Sequence, residues 1–219
     1  MSYLLKFYQD DMKPGTEVVP GIESQHTIIY VFKGLAYVND NTVKKDTAIY
    51  VEDFASIKSG SQGAILWRWE LVPESNSVHL LKGNGINSFL RLSRKVKMFE
   101  LVPTSKWLFR LDSIVNHQGS TGLHSHPGSG IRCMISGQLR VVSDKGESSD
   151  NNNPGDYWYE EGAYPLISTS DPGNMATFLR CMVLPPEYDK YRDTAIWIED
   201  KKTAKSSWKN YCQKVITLR

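Results

Sequence analysis

The chain has 219 residues, of which 40% are hydrophobic and 11% aromatic, and its 26 Lys and Arg residues nearly balance its 24 Asp and Glu residues. This composition is sufficient for one or two packed domains and excludes global disorder. A net charge of +2 is too small to indicate a nucleic-acid partner, because phosphate binding needs a clustered basic face more than a basic total.

Two further features concern the cellular environment. The sequence contains no apolar run of about 18 residues, so we expect no membrane partner. Acidic residues occupy the N-terminal region in place of the apolar core of a signal peptide, which predicts a cytoplasmic protein. The odd number of cysteines and the lack of CxxC spacing argue against a disulfide framework or a zinc knuckle and predict buried thiols at Cys133, Cys181 and Cys212.

Short runs rich in Val, Ile, Tyr, Trp and Phe, bounded by Gly, Asn, Asp and Pro, recur along the whole chain. This pattern is typical of an all-β fold. The predicted strands, in chain order, cover residues 27–32, 35–38, 47–51, 64–72, 107–115, 131–135, 139–142, 157–159 and 177–184.

Three pairs of segments resemble one another and indicate an internal duplication. The run that begins at Ile28, IIYVFKGLAYVND, matches IRCMISGQLRVVS, which begins at Ile131. The run DTAIYVEDFASI matches DYWYEEGAYPLI, and AILWRWELVP matches ATFLRCMVLP, with Arg68 and Arg180 at the same place. Each copy has the size of a small closed barrel or sandwich.

The duplication predicts four regions. Residues 1–73 and 106–185 form the two barrels, and residues 74–105 form a linker with inter-barrel strands. Residues 186–219 have no repeat partner, but their aromatic residues predict a tail that packs on the barrels.

The strongest chemical signal is the segment HSHPGSGIRCMISG. His124 and His126 are two residues apart, so on an extended segment both imidazoles point to the same face and can bind one metal ion. The alternative is a purely structural role, in which both histidines line a barrel and form hydrogen bonds there. His117 and Gln118 precede a glycine turn and are further candidates for the barrel mouth.

These residues resemble the two motifs of the cupin superfamily, a His-x-His pair before a strand that ends in Gly, and a segment that begins Pro-Gly-Asp. The second copy matches the first motif at His124, His126 and Gly137, and the second motif at Pro154, Gly155 and Asp156. The first copy has no His pair. The resemblance therefore implies a bicupin, two tandem double-stranded β-helix (jelly-roll) barrels, in which only the second has a partial metal motif.

The match lacks half of the metal ligands of the family. The Glu of the first motif falls at Gly130 or Ile131, and the His of the second motif falls at Leu166. Glu160 and Glu161 are the nearest replacements, and alternation along a strand allows only one of them to point inward. Two His and one carboxylate with open positions suit a divalent ion such as Fe, Mn, Ni or Zn.

The candidate substrate-binding residues are Arg132, Tyr157 and Tyr159. Arg pairs bidentately with carboxylates, and the tyrosines can shape an apolar pocket with polar handles. The alternation of Ile131, Cys133 and Ile135, however, predicts that these three face inward and that Arg132 faces outward or toward the other barrel. The sequence singles out no catalytic residue.

Three functions follow from the resemblance. The first is a metal-dependent enzyme acting on a small organic molecule, an oxygen-dependent oxidoreductase of the dioxygenase kind. The second is a non-catalytic bicupin that binds or senses a small molecule. The third is a metal-dependent isomerase, lyase or hydrolase. Homodimerisation is compatible with the resemblance, but no particular residue predicts it.

Overall fold

The computed structural model describes residues 2–18, 21–76, 78–97, 105–116, 119–145, 148–171, 173–198 and 206–218. Within them, a 3-10 helix spans Pro186–Lys190, and no helix is long and apolar enough to cross a membrane. The strands are β1 (Tyr3–Met12), β2 (Ile22–Val38), β3 (Asn41–Lys44), β4 (Ala48–Ala55), β5 (Ile57–Pro73), β6 (Ile86–Lys95), β7 (Lys106–Asn116), β8 (Gly119–Ser120), β9 (His124–Ser125), β10 (Ser129–Ser136), β11 (Leu139–Ser143), β12 (Ser149–Asn151), β13 (Tyr157–Glu160), β14 (Leu166–Ser170), β15 (Ala176–Leu184), β16 (Ile196–Trp197) and β17 (Ser206–Thr217).

The first compact unit spans Met1–Val96. Its strands are antiparallel in the order β3-β2-β5-β1-β6, with β4 paired to β2. Aliphatic side chains from these strands, including Ile29, Val31, Val51 and Leu66, form one buried cluster. The interior of this unit is therefore mainly an apolar core.

The second unit spans Lys97–Arg219 and contains two sheets. One sheet has the order β13-β10-β15-β7-β17, and the other has the order β12-β11-β14-β9-β16, with β8 paired to β14. Its apolar cluster includes Met134, Trp158, Leu166 and Phe178. A second apolar cluster contains Leu108, Met182 and Leu184. Buried charged and polar side chains, among them Asp112, Arg132, Glu160 and Arg180, occupy another part of the interior.

The predicted all-β fold class is confirmed, and each predicted strand lies within or largely overlaps an observed one. The structure adds β1 and β6, which pair with each other in the first unit. It also adds β16 and β17, which join the sheets of the second unit through β9 and β7. The division between the units lies between Val96 and Lys97, inside the segment expected to be a linker, and the expected tail contributes two strands.

Each unit has a glycine at the same position of the repeat, where a backbone carbonyl of another strand or turn lies very close to it. Gly34 and Gly137 have φ of +80° and +79°, and a Cβ atom on either would lie 2.1 Å from a backbone carbonyl oxygen. Counting back from these glycines, Ile29 corresponds to Arg132. The strand register agrees, because Ile29 lies opposite Arg68 and Arg132 lies opposite Arg180.

Candidate functional site

A cavity of about 50 Å³ lies within the second unit. A single water needs about 10–15 Å³ on the same measure, so this space admits several water molecules or a small ligand. Charged and imidazole side chains form one part of its wall and aromatic side chains another, the main ones being His124, His126, Arg132, Glu160, Arg180, Phe178, Trp197 and Trp208.

Two neighbouring strands place the polar part of the wall. Gly130 lies opposite Glu160, and Arg132 lies opposite Trp158, in the antiparallel pairing of β10 with β13. Residues opposite one another on paired strands share a face of the sheet, so these four side-chain positions face the same way. The backbone N–H of His126 donates to the carbonyl of Gly162 at 2.7 Å, which fixes the segment after β9 beside them.

The Glu160 carboxylate is buried and in contact with three side chains. Trp158 Nε1 donates to its Oε1 at 2.8 Å, while Arg132 Nη2 and His126 Nε2 lie 2.7 and 3.2 Å from its Oε2. Burial raises the pKa of Glu160, but the charge of Arg132 and the His126 contact outweigh that effect and hold the pKa well below its usual range. Glu160 is therefore ionised in the folded protein.

Both histidines are neutral near pH 7. Burial lowers the pKa of His126 to about 4 and also lowers the pKa of His124. His124 Nδ1 lies 2.9 Å from the carbonyl oxygen of Gly122, which places its proton on Nδ1 and leaves a lone pair on Nε2. For His126, the adjacent Glu160 carboxylate favours a proton on Nε2.

Several buried polar atoms of this wall have no hydrogen-bond partner among the described residues. Arg132 contributes three of them, because Nε, Nη1 and Nη2 all lack an aligned acceptor, even though Nη2 is close to Glu160. Asn116 Oδ1 and Trp208 Nε1 also have no hydrogen-bond partner among the described residues. Leaving a buried polar group unpaired costs about 1–3 kcal/mol, so this wall is suited to a polar ligand or to ordered water.

The structure corrects the expected orientation of Arg132. Its side chain is fully buried and lines the cavity, whereas the alternation of Ile131, Cys133 and Ile135 predicted that it faces outward. The reason is that Ser129 to Met134 are all buried, so both faces of β10 are covered. Under that condition apolar alternation cannot identify the face that lines the cavity.

The second arginine of the wall, Arg180, already has protein partners for its N–H groups, because Nη1 donates to Thr194 and the other two nitrogens donate to Asp112. Its Nε and Nη2 donate to the two carboxylate oxygens of Asp112 at 2.8 and 2.9 Å. Arg110 also lies 2.9 Å from this carboxylate. The shared position in the repeat singled out Arg180, but no sequence signal indicated Asp112 as its partner. Arg132 is thus the arginine with N–H groups available to a ligand.

Other candidates lie away from the cavity. Tyr157 and Tyr159 lie opposite Cys133 and Ile131, on the other face of the sheet from Arg132. Glu161 forms an ion pair with Lys97 at 2.6 Å. Of the two glutamates, Glu160 therefore points inward. His117 and Gln118 lie outside the described residues.

Known structures have a similar fold. Procruciferin, an 11S globulin from Brassica napus, matches with a TM-score of 0.51 and 10% identity over 80% of this chain and 75% of that chain. A variant of salicylate 1,2-dioxygenase from Pseudoaminobacter salicylatoxidans matches with a TM-score of 0.50 and 11% identity over 83% and 70%. The chain has a bicupin fold.

At 10–11% sequence identity, the similarity to these structures establishes the fold and not the function. A cupin 2 conserved barrel domain protein from Leptotrichia buccalis also matches, with a TM-score of 0.46 and 13% identity over 83% of this chain and 84% of that chain. The sequence matches no protein-family model and no curated protein sequence.

The residues of the second barrel do not fit the divalent metal that the cupin motif implies. Among the described residues, no group of three or more His, Cys, Asp and Glu side chains is arranged to hold a metal ion. Glu160 is already paired with the Arg132 guanidinium, and His126 directs Nε2 at the same carboxylate. His124 presents an uncommitted lone pair on Nε2, whereas the free lone pair of His126 is on Nδ1 and not on the Nε2 that faces Glu160. A divalent ion also needs a third ligand for tight binding.

Proposed function

We propose that the second barrel of this bicupin binds a small organic anion through Arg132, without a metal ion. The observation that carries this proposal is the guanidinium itself, which is fully buried, lines the cavity and contacts Glu160 through Nη2, while its Nε and Nη1 have no acceptor among the described residues. A carboxylate matches the planar fork of Arg and satisfies two of its donors at once.

The rest of the wall defines the ligand further. The cavity of about 50 Å³ suits a small ligand. Asn116 Oδ1 is an acceptor with no hydrogen-bond partner among the described residues, so a hydroxyl or amine beside the carboxylate gains a partner there. Phe178, Trp197 and Trp208 supply an apolar surface for the remainder of the ligand.

The competing hypothesis is an oxygen-dependent oxidoreductase, since one of the structures with a fold similar to that of this chain is a dioxygenase. This function, like the isomerase, lyase or hydrolase alternative, depends on a bound metal. The pairing of Glu160 with Arg132 favours the non-catalytic binding function, because the same carboxylate cannot neutralise the guanidinium and serve fully as a metal ligand.

The test is calorimetric titration of the full chain after metal removal with EDTA. Acetate, lactate and benzoate are compared with acetamide, lactamide and benzamide, which have nearly the same shapes without the charge. We expect at least one carboxylate to bind about 10- to 100-fold more tightly than its amide, since a hydrogen bond to a charged group contributes about 1.5–3 kcal/mol.

Arg132→Gln removes this preference in the proposed account. Arg140→Gln is the matched control, because Arg140 is 70% exposed and pairs only loosely, at 3.6 Å, with Asp150. Equal binding of every carboxylate and its amide, or carboxylate binding that persists in Arg132→Gln, contradicts the proposal.

A further inference from the structure

Gly130 and Arg132 depend on each other in the second barrel. A Cβ atom at Gly130 would lie 2.5 Å from Arg132 Nη1, so the guanidinium occupies the space that a side chain at Gly130 would need. Gly130 also lies directly opposite Glu160 across the β10–β13 pair. The carbonyl oxygen of Cys181 lies at the same distance from that Cβ position, so the guanidinium and the backbone of β15 together close the space above Gly130.

The same guanidinium occupies the position of a cation in this site. Arg132 Nη2 is 2.7 Å from Glu160 Oε2, and His126 Nε2 approaches that oxygen at 3.2 Å. The rings of His124 and His126 are neighbours, with centroids 5.1 Å apart. A buried positive charge that belongs to the protein thus contacts the carboxylate of Glu160, with the two imidazoles next to that carboxylate.

A metal ion bound to Glu160 would lie next to this guanidinium. Like charges that are close together in a buried site repel strongly, because little water is present to screen them. The remaining features suit a metal ligand set. His124 holds its Nδ1 proton against the Gly122 carbonyl, which is the arrangement found in metal-binding histidines.

We infer that Arg132 takes the place of a metal ion, and that removing its charge creates a metal site from His124, His126 and Glu160. In the wild-type protein the guanidinium neutralises Glu160 and fills the space, so the site rejects divalent ions. Once the guanidinium is gone, the buried Glu160 side chain has lost its counter-charge and the space beside it is open, and a divalent ion bound by Glu160, His124 and His126 supplies both. This inference goes beyond the proposed anion binding and does not depend on it.

The experiment measures metal uptake directly. Full-length protein without a His-tag is stripped with chelator and titrated with Co²⁺ and, separately, Ni²⁺. Bound metal is read by equilibrium dialysis with elemental analysis and by the visible absorption of Co²⁺. The variants are Arg132→Met and Arg132→Gln, with Arg140→Met as the matched control for loss of an arginine in the same unit.

Wild type and Arg140→Met are expected to take up no stoichiometric metal. Folded Arg132→Met and Arg132→Gln are expected to bind close to one ion per chain. Adding His124→Ala and His126→Ala to either variant is expected to abolish the uptake and the Co²⁺ absorption. Circular dichroism establishes which variants are folded, and the wild-type result does not depend on them.

Two results overturn the inference. One is stoichiometric, His126-dependent metal binding by wild type. The other is the absence of binding in Arg132 variants that are folded. Failure of the proposed function has a different signature, since it leaves the metal-free wild type without a preference for carboxylates over amides.

Discussion

Both units contain a buried Arg–Asp pair, but they differ in the residue that lies opposite the arginine on the neighbouring strand. In the first unit Arg68 Nε donates to Asp10 at 2.8 Å, and in the second unit Arg180 Nε donates to Asp112 at the same distance. The residue opposite Arg68 is the aliphatic Ile29, whereas the residue opposite Arg180 is Arg132.

A second pair of positions shows the same contrast. Val51 lies opposite Thr27 in the first unit, and Glu160 lies opposite Gly130 in the second. Ile29 and Val51 belong to the packed core, while Arg132 and Glu160 line a cavity. The Arg–Asp pair is thus common to both units and structural. The Arg132–Glu160 pair distinguishes the second unit and is the part to associate with ligand binding.

The largest effect is expected from giving the first unit the arginine of the second. Ile29 is fully buried in the packed aliphatic cluster of the first unit and lies opposite Arg68, so Ile29→Arg forces a second long, charged side chain into that cluster. We expect a loss of at least about 4 kcal/mol in the free energy of unfolding, measured by guanidinium titration, against about 1 kcal/mol for the control Ile29→Val. A stable Ile29→Arg protein would show that the first unit also has room for a polar site.

The reverse exchange tests the second unit. Arg132→Ile leaves the buried Glu160 without its counter-charge, and breaking such a pair costs about 3–5 kcal/mol. Adding Glu160→Val copies the first unit at both positions and is expected to recover most of that loss, because apolar pairs replace buried ion pairs at little cost. Urea unfolding of both single variants and of the double variant gives the free energies of unfolding for a double-mutant cycle at the two positions. Additive losses would mean that the two side chains do not act as a pair.

Acidification is expected to affect the two units in opposite directions. The folded pKa of His126, about 4, lies below its unfolded value of about 6.5, so the unfolded state binds more protons between them and stability falls as pH decreases. From pH 7 to pH 5 this costs the second unit about 2 kcal/mol.

In the first unit, Glu70 has the opposite effect on how stability changes with pH. Burial is the main cause that raises its pKa, although Arg68 lowers it. The folded state therefore holds the proton more tightly, and stability increases as pH falls toward the unfolded pKa. Hydrogen exchange of β1 and β5 amides compared with β7 and β15 amides, corrected for intrinsic rates, separates the units. His126→Gln should reduce the loss in the second unit. Parallel changes in both units would refute this assignment.

The smallest effect is expected outside the cavity. Glu161→Gln removes only the ion pair with the exposed Lys97, so ligand binding and stability should change little. Glu160→Gln is the matched comparison, because it makes the same chemical change at the buried neighbour and removes the charge that faces Arg132. Carboxylate titration and thermal unfolding of both variants measure the difference. A larger effect at Glu161 would move the functional surface to the opposite face of β13.

The sequence predicted the duplication and many of the strands, and it narrowed the inward carboxylate to Glu160 or Glu161, because these features have local signatures in the sequence. Glycine turns, β-branched runs and the His-x-His spacing are of this kind. It failed at Arg132 because both faces of β10 are buried, a property set by long-range packing. Trp197 and Trp208 were expected only to pack on a barrel, and the pairing of β16 with β9 and of β17 with β7 brings them to the cavity wall.

The most direct test of the central claim is calorimetric titration of the EDTA-treated wild-type chain with lactate and benzoate, alongside Arg132→Gln. If Arg132 supplies the positive charge of the site, at least one carboxylate binds the metal-free wild type, and that binding is lost in the variant. Binding that appears only after Fe²⁺ or Co²⁺ is added, or that is the same in Arg132→Gln, would contradict the account.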